Sequence, residues 1–373
     1  MYKLVSETLE EELDWKMKKR NYEVRDICDV LIGAAVEQMS IEMASHLLEK
    51  APSGTTVRTI IKEMLTDMGQ WEKVEEKMNQ LLTRRLPKKL LKSKLPAAID
   101  ITEVPYHGQE AEADEMVRRG RAKSGTTHFF AFATLYVVKK NKRYTLSITL
   151  MAKKEKAQDV LERLLCHSEQ LGLRLKRLYL DRGFDNNGVV AYLKQKPFPI
   201  IIPLTIRGKQ GGSRALMVGR KSRTTTYERR STIYDDQTLT LHIVCKYSKG
   251  KYKRQGVYRF AYIVIGSLCC QPLHIAEEYR LRFGIETSYR LMNQIRVRTT
   301  CTIARFRFFL VTLAFLLLNL WIFVKWAYLF IPQRGPRVIL HHLLPLTLFR
   351  LWLWDIVKLR LGFSLAIHLP LNP

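Results

Sequence analysis

The stretch AAIDITEVPY, residues 97–106, decides the fold, because it begins the first run of strand-forming residues in the chain. Apolar residues stand on both sides of Asp100, so this acid lies within a predicted buried strand. A carboxylate among strand-core residues is costly to bury unless it is neutralised or holds a cation. Asp100 is therefore a candidate metal ligand.

The residues after this strand have the periods of further sheet and helix elements. Strands are predicted at 129–138 and 144–151, a helix at 156–171, a strand at 173–180, a helix at 187–195 and a strand at 199–204. Three strands, a helix, a strand, a helix and a strand is the order of an α/β RNase H-like core, a mixed sheet flanked by helices. Asp181 follows the strand at 173–180, and α/β sheets place ligands at such carboxyl ends. We expect Asp100 and Asp181 to lie on adjacent strands.

The region before this core, residues 1–92, carries helical signals without a good strand pattern, which predicts a helical DNA-binding domain. Helices are expected from Ser40 to Lys50 and from Thr55 to about Leu65, separated by the breaker APSG at 51–54. Two short helices about a tight turn suit a helix-turn-helix. Many helical hairpins share this spacing and bind nothing, so both interpretations stay open.

The chain is strongly basic, with 62 Lys and Arg against 35 Asp and Glu and a formal net charge of +27. Such an excess favours a nucleic-acid partner, because each cation placed on a phosphate releases a counterion. Residues 186–270 combine much of this charge with β-rich runs, which predicts a basic β-rich insertion in a catalytic core spanning 93–331. Residues 118–125 predict a flexible basic loop, in which Arg121 and Lys123 either contact DNA near Asp100 or form a solvated hairpin.

Residues 308–324 form an apolar run close to the length of a membrane span. The run stands alone in a charged chain and holds Asn319, so we favour a helix buried in a large core over a membrane anchor. The following tail, 332–373, is predicted to be helical in part. The six scattered cysteines lack a CxxC pair and indicate reduced thiols in a cytoplasm.

The third candidate acid is Glu286, in a predicted helix from Pro272 to about Gln294. One face of that helix, at offsets 0, 3, 7 and 14, carries Tyr279, Arg282, Glu286 and Asn293. Taken alone, Glu286 is more typical of a solvent-facing helix glutamate than of a catalytic group. Its significance comes from the residues around it.

This pattern resembles the DDE transposases of prokaryotic insertion sequences, in the group with a β-rich insertion in an RNase H-like core. The signature of that family is Tyr, two residues, Arg, three residues, Glu, six residues and Lys, and the chain matches its first three positions. Asn293 stands where the Lys is expected. Three basic residues are candidates for the phosphate contact that this Lys would make: Arg290, Arg296 and Arg298.

The resemblance covers roughly residues 97–330 and implies a DNA transposase that cuts the ends of its own element and transfers them into target DNA. It implies that Asp100, Asp181 and Glu286 hold two Mg²⁺ or Mn²⁺ ions, with Asp100 bridging both. It further implies that Tyr279 and Arg282 contact DNA phosphates, that a homodimer or larger assembly pairs two ends, and that the protein is prokaryotic, cytoplasmic and nucleoid-associated.

Some relatives place a tryptophan in the insertion to receive a flipped base, whereas this insertion has none. That role would pass to an aromatic residue among Tyr227, Tyr234, Tyr247 and Phe260. Three other functions remain open: a related metal-dependent nuclease that does not join DNA, a DNA-binding descendant without catalysis, and a basic membrane-associated protein.

Overall fold

A mixed sheet organises the part of the chain described in the computed structural model, which comprises residues 1–15, 17, 21–109, 116–139, 142–249, 255–268, 270–335 and 337–364. Within these residues the sheet has nine strands in the order β2-β3-β1-β5-β6-β9-β8-β7, and β4 also pairs with β3. The strands are β1 Lys94–Tyr106, β2 Val117–Lys123, β3 Thr126–Val137, β4 Thr145–Leu150, β5 Arg174–Leu180, β6 Ile200–Pro203, β7 Arg223–Arg229, β8 Gln237–Lys249 and β9 Gln255–Ile265. A separate small ribbon pairs β10 Phe330–Ile331 with β11 Val338–Ile339.

The five strands β4-β3-β1-β5-β6 confirm the predicted RNase H-like core. β3 is antiparallel to β1 and β4, whereas β5 is parallel to both β1 and β6. Successive residues of β1 point to opposite faces, and both faces are buried: Ala98 belongs to one hydrophobic core and Ile99 to the other. Strands buried on both faces read as nearly continuous apolar runs, which is why the sequence of this region predicted strands well.

The strands of the predicted basic insertion extend the same sheet. β9 is antiparallel to β6, and β8 joins β9 to β7 in antiparallel pairs. The insertion therefore shares its backbone hydrogen bonding with the strand next to β5.

Helices cover both faces of the sheet. They are α1 Tyr2–Glu12, α2 Val24–Val36, α3 Ile41–Leu47, α4 Gly54–Asp67, α5 Trp71–Thr83, α6 Lys88–Leu91, α7 Ala157–Gln170, α8 Asn187–Lys194, α9 Pro272–Tyr279, α10 Gly284–Asn293, α11 Ala304–Tyr328 and α12 Leu346–Leu361. The expected helical pair before the core is present as α3 and α4. The Ser40 and Ser53 hydroxyls cap them by accepting hydrogen bonds from the backbone amides of Met43 and Thr56.

The apolar run forms α11, which lies against α5 and β4. Among the described residues α11 is the one helix long and apolar enough to cross a membrane, and 78% of its apolar window is buried inside the protein. Asn319 explains how a polar residue is accommodated there. Its side-chain amide accepts from the Thr145 backbone amide at 3.0 Å and donates to the Leu82 and Thr145 carbonyls at 3.1 and 2.8 Å.

The C-terminal helix returns to the N-terminal helices. α12 packs on α2, and the Lys50 amide donates to the Leu361 carbonyl at 2.8 Å. One hydrophobic core contains residues of α2, α5, α11 and α12 together. The predicted divisions at 92 and 331 stay predictions, and residues 365–373 of the predicted tail lie outside the described part of the chain.

Two local predictions were wrong. The basic segment at 118–123 is not a loop but belongs to β2, where Val117 is buried and most of the basic residues that follow face solvent. A polar edge strand lacks the apolar alternation that identifies strands in a sequence. The predicted continuous helix at 272–294 is α9 and α10 with a 3₁₀ turn between them, Arg280–Phe283.

Candidate active site

The two strand acids lie side by side, as predicted. The parallel register pairs Ile99 of β1 with Leu180 of β5, so Asp100 and Asp181 follow at the same edge of the sheet. The Asp100 side chain is 13% exposed and that of Asp181 is 46% exposed. The pKa of Asp100 is raised to about 6, because burial and, to a smaller extent, the nearby Asp181 and Glu286 raise it by more than Arg282 and the Ile101 amide lower it.

One guanidinium connects all three acids. Arg282 Nη2 lies 3.2 Å from Asp100 Oδ2 and 3.1 Å from Asp181 Oδ1, and its Nη1 lies 3.6 Å from Glu286 Oε1. The Arg282 side chain is only 4% exposed. Burial alone would lower its pKa, but the three carboxylates and Tyr279 outweigh burial and raise it. The 3₁₀ turn thus places a buried cation in the middle of the acidic cluster.

Two tyrosines, Tyr279 at the end of α9 and Tyr289 on α10, connect the helices on either side of the 3₁₀ turn to the strands that carry the aspartates. Tyr279 Oη donates to the carbonyl of Leu180, next to Asp181, at 3.0 Å. Tyr289 Oη donates to the carbonyl of Asp100 at 2.8 Å and also lies 2.8 Å from Thr134 Oγ1. Both rings are buried, which raises the pKa of each hydroxyl and keeps it protonated as a donor.

Sequence reasoning did not single out Tyr289. It lies three residues after Glu286, on the side of α10 that faces the sheet. An aromatic residue one helical turn from the acid is the feature of the sequence that could have indicated it. The contact observed for Tyr279 is with the sheet, and its predicted contact with DNA phosphate stays a prediction.

A cavity of about 600 Å³ opens over the acids. Its charged and polar lining includes Asp100, Asp181, Glu286, Lys123, Arg290 and Asn293. The structure therefore brings together the three predicted acids and three of the predicted DNA-binding residues. Arg121, Arg296 and Arg298 do not line this cavity, and their roles in DNA binding stay predictions.

An adjoining cavity of about 650 Å³ lies between the β-rich insertion and the 3₁₀ turn. Phe260 of β9 and Phe283 of the turn line it, together with Asp181 and Glu286. Of the four aromatic residues proposed from the sequence for a flipped base, Phe260 is the one in this lining. Its 43% exposure leaves its ring accessible to solvent.

The acidic cluster has the donor chemistry of a divalent metal site, although its side chains face an arginine. Among the described residues, no group of three or more His, Cys, Asp or Glu side chains converges closely enough to form a ready-made metal site. The carboxylate oxygens are nevertheless the hard ligands that Mg²⁺ and Mn²⁺ prefer. The Glu286 side chain is 60% exposed, so both it and Asp181 have room to turn into the cavity.

Comparison with known proteins agrees with this geometry. The family described as "Transposase DDE domain" matches residues 92–320, well over half of the chain. A solved structure of similar fold is the "Cryo-EM structure of piggyBac transposase synaptic complex with hairpin DNA", with a TM-score of 0.57 and 11% sequence identity over 98% of this chain and 82% of that one. None of the curated proteins compared matches the chain. The match over residues 92–320 shows that the chain belongs to the DDE transposase family and is a DNA transposase, and the three clustered acids agree with this.

Proposed function

We propose that Asp100, Asp181 and Glu286 form the catalytic centre with which this transposase cuts the ends of its element and joins them to target DNA. The observation that carries the proposal is the convergence of three carboxylates from β1, β5 and α10 on one guanidinium beneath one cavity. Glutamates on helix surfaces are common, but one that shares a buried arginine with two aspartates from adjacent strands is placed as part of a site.

Two divalent ions, Mg²⁺ or Mn²⁺, are the cofactors that we propose for this centre. When bound, such ions activate a water or a 3′-hydroxyl and stabilise the leaving oxygen of a phosphodiester. Asp100 is the fixed ligand, since its Oδ1 accepts from the Ile101 amide at 3.0 Å and the strand holds its backbone. Asp181 and Glu286 are the adjustable ligands because they are more exposed.

The basic residues around the cavity are suited to bind the phosphates next to the scissile bond. Lys123 and Arg290 line the cavity and are exposed, so binding a phosphate costs them little desolvation. Arg282 is buried among the carboxylates, where it offsets their mutual repulsion and orients them.

The proposed partners are the terminal inverted repeats of the element and the target DNA, and the net charge of +27 supports both. We further propose a homodimer or larger assembly that pairs two ends, in the cytoplasm and associated with the nucleoid. Both proposals rest on the family resemblance.

The deciding experiment compares DNA cleavage and joining by the native chain and by Asp181→Asn, with labelled DNA carrying the repeats that flank the gene and with Mg²⁺ or Mn²⁺. We expect the variant to lose at least about 10²-fold in the rate of both steps, because it loses one of the carboxylates proposed to hold the metal ions. Glu277→Gln, which neutralises an exposed acid on α9, is the matched control and should keep full activity.

The products of the same assay separate the alternatives. Nicking without joining to a target plasmid would identify a nuclease. DNA binding without cleavage by the native chain would identify a non-catalytic descendant and refute the proposed centre, as would full activity of Asp181→Asn.

A further inference from the structure

A third cavity lies on the far side of α10 from the acids. It has a volume of about 340 Å³. The residues of α10 divide between this cavity and the one over the acids: Glu286, Arg290 and Asn293 line the cavity over the acids, and Thr287, Ser288 and Leu291 line the third cavity. The proposed function makes no use of this third cavity.

A buried lysine without a counter-ion opens onto it. Lys325 of α11 is 6% exposed, and its Nζ lies 3.1 Å from the centre of the Trp321 ring. In the described part of the chain no carboxylate forms an ion pair with it. Burial lowers its pKa to about 7, and no charged neighbour contributes to that shift.

Among the described residues of the lining, the others add basic groups and apolar surface but no acid. Arg143 and His341 are the further basic groups of the lining, and Leu318, Ile322 and Ile339 are apolar. A buried ammonium that lacks an anion is unfavourable, because desolvation of the charge is not compensated. A cavity of this volume lies at the small end of ordinary ligand sites.

We propose that this cavity binds a small amphipathic anion, namely a carboxylate carried on an aromatic or aliphatic body. The carboxylate would pair with the Lys325 ammonium, and the apolar body would pack on Trp321 and the leucine and isoleucine side chains. The Ser288 and Thr287 hydroxyls offer further donors to the anion. This site is independent of the acids, so it stands or falls separately from the proposed catalytic function.

The test is calorimetric titration of the chain, without metal and DNA, with sodium 1-naphthoate and with the neutral 1-naphthalenemethanol. We expect saturable binding of the anion at one site per chain, with a Kd of about 1 mM or tighter for a ligand of this size. The alcohol should bind at least about tenfold more weakly, because it lacks the charge-assisted contact.

The matched variants are Lys325→Met and Lys73→Met, the second on the exposed surface of α5. Lys325→Met should weaken naphthoate binding at least about tenfold, and Lys73→Met should leave it unchanged. Equal affinity of Lys325→Met, equal affinity for the alcohol, or no saturable binding by the native chain would each overturn the proposal. The comparison of anion with alcohol uses the native chain, so it decides the matter even if Lys325→Met does not fold.

Discussion

Two buried cations lie on opposite sides of α10 and differ in their surroundings. Arg282, on the catalytic side, has three carboxylates within 3.6 Å, whereas Lys325, on the other side, has the ring of Trp321. Both are less than a tenth exposed. The pKa of Arg282 is raised despite burial, and burial lowers that of Lys325 to about 7. Counter-charge, and not depth, therefore decides whether a buried cation stabilises this fold.

Removing the compensated cation should have the largest effect on stability. Arg282→Met leaves the buried Asp100 beside two other carboxylates, and we expect the free energy of unfolding to fall by about 3–5 kcal/mol at pH 8 without metal. The loss should shrink as the pH falls toward about 6, because without Arg282 the Asp100 carboxylate takes up its proton at a higher pH than in the native chain, where its pKa is about 6. Urea unfolding measures both, with the exposed neighbour variant Arg280→Met as control. Equal stability of Arg282→Met and Arg280→Met would contradict the claim that the carboxylates around Arg282 make it a stabilising cation.

Removing the uncompensated cation should have the opposite sign. Lys325→Met is expected to raise the free energy of unfolding by about 1–4 kcal/mol at pH 6, because it removes a buried charge without breaking an ion pair. The folded pKa of Lys325 is about 7 and its ordinary value is 10.5, so the cost of burying its charge is full below pH 7 and declines as the pH rises. The gain should therefore be smaller at pH 9.

Other basic and phenolic side chains lie near Lys325, which sets the control for that measurement. Tyr136 of β3, Arg143 before β4 and His341 line the same cavity. The native chain and Lys325→Met share them, so the difference between the two unfolding curves isolates Lys325. A loss of stability at pH 6 would show that the ammonium has a stabilising partner.

A substitution that removes no charge, on the catalytic side of α10, should have a smaller effect on stability than either cation variant. Tyr289→Phe removes the donor to the Asp100 carbonyl and the contact with Thr134, and should cost about 1 kcal/mol of unfolding free energy. Cleavage should slow by about tenfold, because α10 loses the hydrogen bond to the Asp100 carbonyl that positions Glu286 relative to Asp100. Tyr328→Phe, at the exposed end of α11, is the control for both measurements. Unchanged cleavage would limit Tyr289 to a structural role.

The smallest effect on folding is expected for an exposed cation on the same helix. Arg290→Gln should change stability by no more than about 0.5 kcal/mol, because its charge is already solvated. Its effect should appear in DNA binding, where the slope of log affinity against log salt falls by about 1. A changed stability with an unchanged salt slope would contradict its assignment to phosphate binding.

The sequence predicted the strand acids well for a physical reason. Strands buried on both faces are almost continuously apolar, so an acid such as Asp100 within one, or Asp181 at the end of one, is conspicuous. Glu286 could not be recognised that way, because a glutamate on a helix is ordinary, and its identification depended on the family signature. Tyr279, Arg282 and Glu286 match the signature, but the continuous helix predicted for them was wrong, because a 3₁₀ turn divides it.

The missed features depend on contacts that a sequence does not encode locally. Helical periodicity assumes a continuous α-helix, so it did not predict the 3₁₀ turn that places Arg282 among the acids. Lys325 follows an apolar run and is typical of an ordinary flanking charge in the sequence, although it is buried in the folded chain. Tyr289 acts through the carbonyl of a residue 189 positions earlier, and only the folded chain shows that contact.

The position of α11 in the core also has a consequence for synthesis on the ribosome. Its Asn319 completes hydrogen bonds to Thr145, 174 residues earlier. At translation rates of about 5–20 residues per second, roughly 10 to 35 s pass between the synthesis of Thr145 in β4 and that of Asn319. A message that stops between the codons of Asn293 and Ala304 encodes all three acids without the helix that covers their sheet. Such a product would expose a large apolar face and become a client of chaperones and proteases instead of an enzyme.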